Sequence, residues 1–236
     1  WRYDDKVIVF TGHNAEPPVK TRMFHHIWHY NLETKTATEL SASIDQTVGN
    51  YAVADQRAGL TNITVKWPGG KGPIYFLLTE QGATNLFKTD EKGNCEPIVN
   101  DKGIVFEYSG SQNGSVAYGY SSPNSPGELF LQSLDGKAEQ LSKLNPWLDN
   151  YWLSKPREYW YEGLDGVKVH AWELRPPMFD ENKKYPTIIY VHCSMFSWDF
   201  NHEFQCLANA GYVVFYFNQI GTTAGYGQQR TRASEG

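Results

Sequence analysis

Two apolar runs, TIIYV (187–191) and YVVFYF (212–217), bracket a stretch with helical spacing, and this constrains the fold more than any other feature. Between them Phe204, Leu207 and Ala208 repeat with helical period, and Gly211 stands where a helix is closed by a residue of positive φ. Strand, helix and strand in about 30 residues is a βαβ unit, which makes the sheet parallel at this point. Such continuous apolar runs are expected of strands buried on both faces. Just upstream, Tyr159 to Tyr161 and the stretch 167–174, joined by Leu164-Asp165-Gly166, predict a hairpin turned by Asp-Gly.

The chain before residue 150 has a different texture. Short strand-like runs (KVIVF at 6–10, IWHYNL at 27–32, IYFLL at 74–78, NLFKT at 85–89, SVAYGY at 115–120, ELFLQSL at 128–134) are separated by Gly, Asn, Asp and Pro turns. Short closing strands follow at 38–40, 96–99 and 139–141. Each repeat runs strand, loop, strand, turn, closing strand, the pattern of a propeller blade, with a β-sandwich as the competing architecture. About three repeats fall short of the ~4 blades that close a propeller. Prolines 146 and 156 interrupt regular structure between the two regions. The expected fold is therefore mixed: β-propeller blades over 1–152, then the N-terminal part of an α/β-hydrolase fold over 153–236.

Aromatics make up 15% of the residues, which favours pleated surfaces. The net charge is −5 without a Lys/Arg run, so neither nucleic acid nor an anionic membrane is an expected partner. The three cysteines, Cys95, Cys193 and Cys206, are far apart and favour a reducing, cytoplasmic setting over a disulfide framework. An unclosed set of blades exposes strand edges, so the remainder of the same protein or a second copy is an expected neighbour.

In an open α/β sheet, ligands sit beyond the carboxyl ends of the strands. Two loops are placed there: His192-Cys193-Ser194-Met195-Phe196, and Asn218-Gln219-Ile220-Gly221 leading into Gly225-Tyr226-Gly227. Other candidates read more plainly. His25, His26 and His29 lie on a solvated strand rather than in a metal cluster. Gly225-Tyr226-Gly227 is a turn rather than a phosphate cradle, since it lacks the P-loop lysine. Cys193 has no His or Asn partner placed by the sequence.

Lys184-Tyr185-Pro186, His192, His202-Glu203-Phe204-Gln205, Leu207-Ala208, Gly211-Tyr212, Asn218, Gly221 and Gly225-Tyr226-Gly227 occur in an order that resembles the acylaminoacyl-peptidase branch of the prolyl oligopeptidase family. Upstream, Phe10-Thr11-Gly12-His13, Val48-Gly49-Asn50-Tyr51, Ser121-Ser122-Pro123 and Ser125-Pro126-Gly127-Glu128-Leu129 look like that family's last propeller blades. Lys155-Pro156-Arg157-Glu158 looks like the lead-in to its hydrolase domain. The resemblance implies a serine peptidase that cleaves short peptides through an acyl-enzyme and needs no cofactor. It implies a Ser-Asp-His triad with the serine in a G-x-S-x-G elbow. No serine here has glycine two residues before and two after, so the triad is expected beyond Gly236. What remains is one arm of the oxyanion hole on His192, Cys193 and Ser194, with Ser194 presenting the N–H, and a cleft lined by Asn218 and Tyr226. Cys193, Ser194 and Met195 stand where the family carries Gly-Gly-Pro, and Gln219-Ile220 where Pro-Arg is usual. Those departures keep a second reading open, a catalytically degenerate relative that binds peptides or partner subunits.

Overall fold

The computed structural model describes residues 1–14, 24–56, 64–163, 166–191, 195–221 and 224–233. Its first part is built from three antiparallel meanders. The first is β1 (Val7–Gly12), β2 (His26–Asn31) and β3 (Thr36–Glu39). The second is β4 (Ile74–Glu80), β5 (Ala83–Thr89) and β6 (Glu96–Pro97). The third is β7 (Ile104–Gly110), β8 (Val116–Ser122), β9 (Ser125–Gln132) and β10 (Ala138–Gln140). The last two join through a single parallel pair, Thr84 with Ile104. Among the described residues the meanders form no closed ring.

Period-two alternation explains how they stack. One face of β4 carries Ile74, Phe76 and Leu78, which pack with Ile27 and Leu40 of the first meander. Its other face carries Tyr75 and Leu77, which pack with Val105, Tyr108, Val116 and Tyr118 of the third. All five residues of this IYFLL run are at most 4% exposed.

A 3₁₀ turn at Pro146–Asn150 leads to a four-stranded sheet of order β11–β12–β14–β13. Its strands are β11 (Arg157–Glu162), β12 (Lys168–Leu174), β13 (Thr187–Tyr190) and β14 (Val213–Asn218). The expected hairpin is β11–β12, antiparallel, closed by Gly163 N–H donating to the Val167 carbonyl at 2.8 Å, with Gly166 at φ 74°. β13 and β14 pair in parallel through helix α1 (His202–Asn209). Gly211, at φ 97°, follows the helix as its sequence position predicts. Asn201 caps α1 by accepting from Phe204 N–H, and Asp55, far away in sequence, accepts from the N–H groups of His202 and Glu203 at 3.0 and 2.7 Å. A short helix, α2 (Gln228–Arg232), follows.

Two expectations are corrected. Strand β7 was not among the predicted strands. A register shift between Val105 and Glu107, a bulge, breaks the alternation that marks a strand in sequence. The runs at 187–191 and 212–217 are not buried on both faces either. β13 is the sheet's edge strand, and Ile189 and Val191 are 62% and 64% exposed. On β14 only Val214, Tyr216 and Asn218 are buried. α1 covers one face, where Phe204 packs on Tyr216 and Tyr190. The residues that alternate with the buried ones point the other way.

The covered face carries an aromatic stack: Trp160, His170, Trp172 and Tyr216, with ring centroids 4.2, 4.0 and 5.3 Å apart in turn. The tip of the β4–β5 hairpin inserts against it. Gln81 and Gly82 both have positive φ, as a two-residue hairpin turn of this hand requires. Gln81 N–H donates to the Gly225 carbonyl and Trp198 N–H donates to the Gly82 carbonyl, each at 2.9 Å. A Cβ on Gly82 would lie 2.7 Å from the Trp172 ring, so the close approach itself requires glycine. Ser121 donates to Asp199 across the same junction. Gln205 of α1 bonds to the Pro123 carbonyl and to both backbone groups of Ser154. No helix among the described residues is long and apolar enough to cross a membrane.

Candidate functional site

The carboxyl ends of β13 and β14 lie side by side, so the segments that leave them are neighbours. Of the predicted oxyanion loop, His192, Cys193 and Ser194 lie outside the described residues. Their flanks are described. Val191 is exposed, whereas Met195 is 1% exposed and its carbonyl accepts from Val53 N–H at 3.2 Å. Phe196 is buried beside it.

Asn218, the last residue of β14, is 1% exposed. Its side-chain oxygen accepts from Phe196 N–H at 2.7 Å, and its amide donates to the Phe196 carbonyl at 2.8 Å. One side chain thus takes up both backbone groups of a buried residue two positions past the predicted oxyanion loop. Leaving either group unpaired would cost about 1–3 kcal/mol. The second amide hydrogen of Asn218 goes to the Tyr226 hydroxyl at 2.8 Å. Tyr226 in turn meets His170 Nδ1 at 2.7 Å, and His170 Nε2 meets Glu158 at 3.0 Å. The other Glu158 oxygen accepts from Lys102, which belongs to the meander region.

Donors and acceptors along this chain match in one direction only. Glu158 is a carboxylate, so His170 Nε2 carries the hydrogen and Nδ1 is the acceptor. Tyr226 then donates its hydroxyl hydrogen to Nδ1 and accepts from Asn218. The electrostatics agree. Burial disfavours the charged form of His170 more than Glu158 favours it, and its pKa is pulled down to about 4. Burial also opposes ionisation of Glu158, but Lys102 and His170 outweigh it and hold the carboxyl below its usual range. Burial raises the Tyr226 hydroxyl far above its ordinary value, so it remains a donor. The Arg230 guanidinium covers the Tyr226 ring 4.5 Å from its centre and donates to the carbonyls of Lys168 and Asn218.

Beside this chain lies a cleft of about 340 Å³, lined by Gln81, Asn85, Asp101, Lys102, Glu158 and Trp198 among others. It opens between the meanders and the sheet. Lys102 lies over the Trp198 ring there, 4.8 Å from its centre. Asn218 and Tyr226 do not line this cleft. The structure brings those two together with each other and with Phe196. His170, Glu158 and Lys102 were not singled out from sequence as site residues. The available signal was alternation on β12, which puts His170 on the same inward face as Trp172. Among the described residues no group of three His, Cys, Asp or Glu side chains could hold a metal ion. His25 meets the Tyr51 hydroxyl, and His26 pairs with Glu39.

No family model matches the chain. It is 29% identical over 227 residues to the uncharacterized peptidase YuxL of Bacillus subtilis, covering 94% of this chain and 34% of that protein. It is 30% identical over 175 residues to dipeptidyl-peptidase 5 of Porphyromonas gingivalis, covering 70% and 25%. The chain is a relative of the prolyl-oligopeptidase-type peptidases. Among solved structures, the acylaminoacyl peptidase of Pyrococcus horikoshii superposes over 98% of this chain and 33% of its own, with a TM-score of 0.77 at 23% identity. That likeness is one of fold, and it extends across meanders and sheet together. The chain spans between a quarter and about a third of the length of these curated relatives.

Proposed function

We propose that the protein containing this chain is a serine-type peptidase that cleaves short peptides, in the manner of acylaminoacyl- or oligopeptidases, through an acyl-enzyme. The observation that carries this is the fixed backbone at Phe196. Asn218 and Tyr226, two residues of the family-like motif, hold it beside the segment where an oxyanion donor is needed. An oxyanion hole acts through donors that do not have to reorganise as charge develops, so rigidity next to that segment is what the chemistry requires. In this proposal the meanders are the last blades of a β-propeller over 1–152, and residues 153–236 begin the α/β-hydrolase domain. His192, Cys193 and Ser194 form the oxyanion loop, and the Ser-Asp-His triad is supplied from outside residues 1–236. The peptidase names of the relatives and the fold shared with an acylaminoacyl peptidase support it.

Hydrolysis of N-acylamino-acid and dipeptidyl p-nitroanilides by the full-length protein tests it. Turnover of at least one class is expected. A second proposal, a degenerate relative that binds peptides without cleaving them, is favoured by one feature: Met195, at the family's proline position, is buried and tied to Val53. Peptide binding without turnover would replace the first proposal with the second.

A further inference from the structure

We propose that His170 is a positioning residue for the buried backbone at Phe196: held by Glu158, its Nδ1 takes the Tyr226 hydroxyl hydrogen and thereby fixes Asn218 on that backbone. The proposal deepens the peptidase reading and rests on it for its catalytic consequence. Three observations carry it. His170 is 0% exposed, and both ring nitrogens are bonded, to Tyr226 at 2.7 Å and to Glu158 at 3.0 Å. Its ring lies between Trp160 and Trp172, nearly parallel to the first at 8°, so it cannot swing without breaking the stack. Every link from Lys102 to Phe196 is a single side chain, so each bond orients the next.

The chain also has a direction across the molecule. Lys102 comes from the segment between β6 and β7, and with Glu158 it lines the cleft between meanders and sheet. Asn218 and Phe196 lie at the other end. His170 is the link between them, since Tyr226 alone could rotate its hydroxyl to another acceptor. A group acting through others in this way changes rate by alignment, and loss of alignment is worth about tenfold to a hundredfold.

The test uses three variants of the full-length protein. Tyr226→Phe removes one oxygen and nothing else. His170→Gln can still reach Glu158 but offers no acceptor at the Nδ1 position. His170→Asn restores an acceptor there and gives up the Glu158 bond. Two readouts are taken: hydrogen exchange of the Phe196 amide, which needs no activity, and the separate values of kcat and KM on a p-nitroanilide. Y226F and H170Q are expected to speed Phe196 exchange at least tenfold and to lower kcat about tenfold, with KM changed less than threefold. H170N is expected to recover part of both losses, since the acceptor returns without the Glu158 anchor. The Y226F/H170Q double variant should lose no more than either single one, because both cut one chain. Unchanged Phe196 exchange in Y226F and H170Q overturns the proposal, as does faster exchange with kcat untouched or equal loss in H170N and H170Q. If the wild-type protein turns over no peptide, the peptidase reading fails by itself, and the positioning role is decided by the exchange data alone.

Discussion

Strands β4 and β13 carry runs of nearly the same appearance, IYFLL and TIIYV, and the fold treats them in opposite ways. Every residue of the first run is at most 4% exposed, whereas Ile189 and Val191 in the second are more than 60% exposed. The difference lies in what stands on either side. β4 sits between two other meanders and fills both interfaces. Both strands stand at an edge of their sheet, but β13 has α1 on one face only. Apolar character therefore announces a strand, while the number of covered faces is set by elements distant in sequence. The parallel partner, the usual sign of burial on both sides, is here the less covered of the two.

That contrast can be broken by substitution. Phe76→Ala, in the doubly covered strand, is expected to cost about 3–5 kcal/mol in urea unfolding. The next effect is one of pH and tests the covered face of the β13 sheet. The pKa of His170 in the fold is below its unfolded value, so the unfolded chain takes up the proton first and acid favours unfolding. Between about pH 6.5 and pH 4 the loss should approach about 3 kcal/mol. Glu158, also depressed, adds to the loss as pH falls below its ordinary carboxylate range. Arg230 and Tyr226 also face the pair, and neither changes charge in that window. H170Q should flatten this acid limb. A limb equally steep in H170Q would mean that other groups carry it.

Gly82→Ala comes third, at about 2 kcal/mol. A Cβ there meets Trp172 and sits at φ 81°. The cost should appear as loss of the junction, read as a second, earlier thermal transition. Asp55→Ala removes acceptors from two N–H groups of α1 and should cost about 1 kcal/mol. Smallest of all, Ile189→Ser should change stability by no more than about 0.5 kcal/mol. A loss comparable to that of Phe76→Ala would mean that the open face of β13 is covered in solution.

Local chemistry explains which parts were legible in sequence. The β11–β12 hairpin, the βαβ unit and the glycine after α1 are set by neighbouring residues and their turns. β7 was hidden by its own bulge, which puts Val105 and Glu107 out of alternation. Asn218 at the end of β14 and Tyr226 in the loop after it could be placed from the strand pattern. Their partners could not. His170, Glu158 and Lys102 come from three separate elements, and only the pairing of β11, β12 and β14 brings the first two into line with Asn218. The weld between meanders and sheet was equally silent, because Gln81, Gly82, Ser121 and Asp55 look like ordinary turn and strand residues until their partners at 195–225 are placed.

A fluorophosphonate probe on the full-length protein addresses the central claim most directly. One adduct is expected, on a serine outside residues 1–236, with labelling slowed in Y226F. No adduct, or an adduct on a serine within residues 1–236, would contradict the claim that this chain supplies the oxyanion side of a serine peptidase.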